Sequence, residues 1–67
     1  MRMLDERQRR VVRLLAGGLA QTEIAVRIGV STRQVSRLLS DAREIAGVET
    51  NQALVAWCYR EERAGKC

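Results

Sequence analysis

The sequence predicts an all-α fold, a compact four-helix domain around a single core. Three observations lead there. Proline is absent from the 67 residues, so no segment carries a built-in helix breaker. Apolar residues recur at three- and four-residue spacing in successive stretches, the mark of helices with one inward face. Gly17, Gly18, Gly29 and Gly47 punctuate those stretches, and capping residues open them. A chain of this length is one domain, near the lower size limit for a single core, with residues 1–4 and 61–67 expected to fray. Aromatic residues make up 3% of the chain against 46% hydrophobic residues, so the core must be built from Leu, Ile, Val and Ala.

Taken in order, residues 1–4 are a lead-in, and Asp5 with Gln8 three positions later reads as a helix cap. Gln8, Val12, Leu15 and Leu19 form one stripe, flanked by Val11 and Leu14, and Gly17–Gly18 stops the first helix. Arg7, Arg9, Arg10 and Arg13 fall mainly outside that stripe. They read as a solvated face with i to i+4 pairs, Asp5 with Arg9 and Glu6 with Arg10, ahead of direct phosphate contact. A second helix over Gln21–Ile28 buries Ile24, Ala25 and Ile28, and Glu23 in its first turn complements the helix dipole. The third, Thr32–Ala46, carries an apolar stripe of Val35, Leu38, Leu39, Ala42 and Ile45. Gly47 ends it as a left-handed residue, with Val48 folding back onto the core. Thr50 or Asn51 then caps a fourth helix. Residues 53–59 are apolar at every position, too wide a band for a helix covering one side of a small core, so part of it is expected to meet another surface. Trp57 is the only Trp; it is either the plug that closes the core or an interface anchor.

Between Gln21 and Ser40 the spacing is that of two helices crossing over a tight turn. Ala25 leaves room for the third helix to approach. Gly29 sits where the chain reverses, a position that commonly demands positive φ. Val30 plugs the corner, and Ser31 with Gln34 forms a capping box. The pattern is a helix-turn-helix. Arg33, Ser36, Arg37, Ser40 and Glu44 mark the outer face of the third helix, which carries no acid as far as Ser40. Short Ser36 and Ser40 let the backbone come close to base edges of duplex DNA, and Arg37 between them offers guanine two donors. Thr32 and Arg33, near the helix start, are placed for phosphates or base edges.

Charge supports a polyanionic partner. The chain has 12 basic and 8 acidic side chains, a net charge of +4 and a pI near 10.0. The excess lies in residues 1–40, since residues 41–67 hold four bases against five acids. Arginine rather than lysine supplies it, which suits bidentate contacts and equally fits a GC-rich genome. No apolar run approaches the roughly 18 residues of a membrane span, and no signal peptide opens the chain, so the expected location is cytoplasmic. Cys58 and Cys67 lack paired spacing and there is no histidine; no metal and no cofactor are expected. In a reducing compartment Cys58 reads as a small buried hydrophobe and Cys67 as an incidental thiol. Without histidine, paired acids, a nucleophile with a base or a phosphate loop, an enzyme is not expected.

Leu4 with Glu6–Arg7, the Ala16–Gly17–Gly18 helix end, Glu23–Ile24–Ala25, the Val30–Ser31 turn, Val35, and Gly47–Val48 occur in order at the separations of a known family. Taken together they resemble the LuxR/FixJ-type DNA-binding domain. That resemblance implies a third helix in the major groove, with Ser36, Arg37 and Ser40 where bases are read and Gln21 and Thr22 where the backbone is touched. It also implies a homodimer through the fourth helix, with Leu54, Trp57 and Cys58 at the interface. The chain departs from the pattern at Ala20, Ser36 and Leu38, where the family usually has Ser or Thr, Lys and His. Val35–Arg43 also resembles the promoter-reading region of bacterial sigma factors. The expectation is a stand-alone, sequence-specific regulator of transcription that binds double-stranded DNA. The alternative is a sigma-like or adaptor module that meets RNA polymerase or another regulator through its apolar fourth helix.

Overall fold

The computed structural model describes residues 3–63. The expectation for Cys67 falls outside them. Four helices follow in order: α1 (Glu6–Ala16), α2 (Gln21–Ile28), α3 (Thr32–Ala46) and α4 (Asn51–Arg63). Helix α1 packs on the other three, and α3 packs on both α2 and α4.

Each start has a local chemical cause. Asp5 Oδ1 accepts the Gln8 amide at 2.8 Å, while Gln8 Oε1 accepts the Asp5 amide at 3.0 Å, so two otherwise orphaned N–H groups are satisfied at the start of α1. Ser31 and Gln34 repeat the arrangement for α3, at 3.1 and 3.3 Å. Helix α2 has only half of it. Glu23 Oε1 accepts the Ala20 amide at 3.0 Å, but Ala20 has no side-chain oxygen to return the bond. Thr50 rather than Asn51 caps α4, its Oγ1 accepting from the Ala53 amide at 3.0 Å. Asn51 instead accepts from Arg43 Nη1 and ties α3 to α4. At the end of α3, Gly47 takes φ 73°, and the Val48 amide bonds back to the Arg43 carbonyl at 3.0 Å, which turns Val48 inward.

The core consists of Leu4, Val11, Val12, Ile24, Ala25, Val35, Leu39, Ala42, Leu54 and Cys58. It is aliphatic but for the sulfur. Four sequence expectations are corrected here. Leu4 is not a loose lead-in but part of the core: it is 4% exposed, and its carbonyl accepts from Arg9 Nη2 at 3.4 Å. Residues 61–63 continue α4. The third concerns α4, whose apolar band is divided. Leu54 and Cys58, four residues apart, are 0% and 1% exposed in the chain's own core, so neither has surface to give a second copy. Cys58 is also disulfide-bonded, where the sequence suggests a buried thiol. Trp57 is half-buried against the core, between the two roles open to it. Tyr59 reaches across to donate its hydroxyl to the Ala16 carbonyl at 2.9 Å, satisfying one of the acceptors that end α1.

Candidate nucleic-acid interface

Helices α2 and α3 meet at Gly29, which takes φ 75°. The amides of Gly29 and Val30 both donate to the Ala25 carbonyl at 3.0 Å, so the turn is closed by backbone alone. No heavy atom lies within 4 Å of where a Cβ would stand on Gly29. Glycine is needed there for its φ and not for space. Ala25 is buried beneath the crossing, and Val30 is half-buried in the corner.

With about 3.6 residues per turn, the burial of Val35, Leu39 and Ala42 turns the opposite side of α3 outward. Thr32, Arg33, Ser36, Arg37 and Ser40 are all exposed. The structure therefore brings the five together along the first part of one helix. Thr22 is exposed and Gln21 half-buried at the start of α2. Gln21 lies against the same surface, since Ser36 Oγ donates to Gln21 Oε1 at 2.7 Å.

The charges on this face run in one direction. Arg33 and Arg37 stand in the first half of α3, while the exposed acids Asp41 and Glu44 stand in the second. The N-terminal half is thus the more favourable side for a polyanion, since the base of the second half, Arg43, is turned to Asn51.

A shallow cleft along the flank of α3 is lined by Gln34, Arg37, Leu38 and Asp41 together with Arg7 from α1. Arg7 is thus drawn to the edge of the α3 face, away from the other α1 arginines. Glu6, Arg9, Arg10, Arg13 and Leu14 line a different cleft. By spacing alone all four arginines read as one solvated face. The Gln34–Leu38–Asp41 spacing marks the flank in the sequence, but only the rotation of α1 against α3 shows that Arg7 meets it. Leu38 is half-buried, packed on the core at the floor of this cleft.

Four helices, a glycine turn between α2 and α3 and an exposed cationic face on α3 define a helix-turn-helix DNA-binding domain. The family model for Sigma-70, region 4, matches residues 1–45. The chain belongs to that family, and its helix-turn-helix is a DNA-binding unit of transcription. Neither a curated protein nor a solved structure matches the chain. The match covers α1, α2 and nearly all of α3. It stops short of Gly47, Val48 and α4. No helix among the described residues is long and apolar enough to cross a membrane.

Proposed function

We propose that this domain is a sequence-specific reader of double-stranded DNA that acts in transcription in the cytoplasm, without catalysis and without a cofactor. The N-terminal half of α3 enters the major groove. Arg37, Ser40 and Arg33 face base edges, with Ser36 beside them, while Thr32, Thr22, Gln21 and Arg7 face the phosphate backbone. One observation carries this reading: within a Sigma-70 region 4 helix-turn-helix, every exposed side chain of α3 from Thr32 to Ser40 is neutral or cationic. The burial of Leu54 and Cys58 favours one copy per site.

A second reading rests on what α4 leaves uncovered. Val55 and Trp57 are half-buried, and Ala56 and Tyr59 are exposed. Together with the Gly47–Val48 turn, they support a LuxR/FixJ-type homodimer, or a contact with RNA polymerase or another regulator, through this remaining face. Enrichment from random duplexes separates the readings. A single asymmetric site is expected, whereas a palindrome with half-sites roughly 10 base pairs apart would mean a dimer. Recovery of no preferred sequence would overturn sequence-specific reading altogether.

A further inference from the structure

Ser36 and Gln21 lie on different helices and are joined by a short hydrogen bond. Ser36 Oγ donates to Gln21 Oε1 at 2.7 Å, the usual length for an O–H···O bond. The bond changes what each group can offer DNA. A serine hydroxyl has one proton, and here it is engaged. Ser36 can then donate neither to a phosphate nor to the acceptors of guanine, adenine N7 or thymine O4. Gln21 has its carbonyl oxygen occupied, so its Nε2 group is the free end of the carboxamide and carries two donors. Phosphate oxygens accept and never donate, so this end suits the backbone.

We propose that Ser36 is a positioning residue that acts through Gln21, holding the carboxamide so that its N–H groups meet a DNA phosphate. The pair works as one backbone anchor spanning the α2–α3 corner. Glutamine is among the side chains with most rotamer freedom to lose. Fixing it before DNA arrives lowers the entropic cost of the contact. Ser36 then contributes chiefly to affinity, its hydroxyl keeping only acceptor capacity for a base edge, and discrimination by donors along α3 is left to Arg33, Arg37 and Ser40. This inference rests on the DNA-reading function proposed above.

A double-mutant cycle tests it. Fluorescence anisotropy on a preferred duplex and on a scrambled one would compare the wild type with Ser36→Ala, Gln21→Ala, the double variant and Ser36→Thr. Each alanine variant is expected to lose roughly three- to tenfold in affinity, the value of one neutral hydrogen bond, on both duplexes alike. The double variant should bind no more weakly than either single one, and Ser36→Thr, which keeps the hydroxyl, should bind like the wild type. The slope of affinity against salt should stay unchanged, because a neutral carboxamide displaces no counterion. Multiplying losses in the double variant, a base preference altered by Ser36→Ala, or failure of Ser36→Thr to restore binding would overturn the coupling alone. A wild type with no salt-sensitive binding would overturn the DNA-reading function, and this inference with it.

Discussion

Arg37 stands exposed on α3 and lines, with Gln34 and Asp41, the cleft that Arg7 lines from α1. The two arginines are expected to do different work. Arg37→Ala should cost about 1–3 kcal/mol on the preferred duplex and relax the preference at one base pair. Arg7→Ala should weaken binding to all sequences about equally and lower the salt slope by about 1. Anisotropy titrations over a salt series measure both. Gly29 presents a different single-residue demand, since its φ of 75° is strained for any residue with a Cβ. Gly29→Ala is expected to destabilise the domain by about 1–2 kcal/mol, read from denaturant unfolding. Because open space surrounds the position, the loss should come from backbone conformation without a clash.

Helix α2 is the element whose start is least well capped, for Ala20 leaves the returning bond of the Glu23 box unmade. Ala20→Ser should supply it and raise stability by about 0.5–1 kcal/mol, visible as a higher midpoint in urea. Helix α4 makes the opposite case. Leu54→Ala removes a side chain that is 0% exposed and is expected to cost about 2–5 kcal/mol, with the loss independent of protein concentration because Leu54 serves the monomer core. The bounds of α2 and α3 are legible in the sequence because caps and glycines are local signals that act within a few residues. Which part of the α4 band turns inward is not. A run that is apolar from Ala53 to Tyr59 has no polar side to orient it, and the choice of Leu54 and Cys58 as the buried pair comes from packing on α1 and α3. The Ser36–Gln21 bond and the place of Arg7 were hidden for the same reason: each depends on how two helices are rotated against one another.

Across the chain, charge and shape point the same way. Basic residues exceed acidic ones in the first forty positions and fall below them beyond, and the region matched by the Sigma-70 region 4 family ends at residue 45. The cationic excess thus lies within the matched region, the larger part of it in residues 1–20 ahead of the helix-turn-helix, while α4 supplies packing through Leu54 and Cys58. On the proposed function α3 is the reading element, and DNA affinity is expected to depend on salt. The most direct test is a titration of the wild-type protein against its enriched duplex and a scrambled duplex from low to physiological salt, repeated with Arg37→Ala. The expected result is salt-sensitive binding that favours the enriched duplex, with the preference reduced in the variant. Equal binding of both duplexes by wild type and variant, or no salt-sensitive binding at all, would contradict sequence reading by α3.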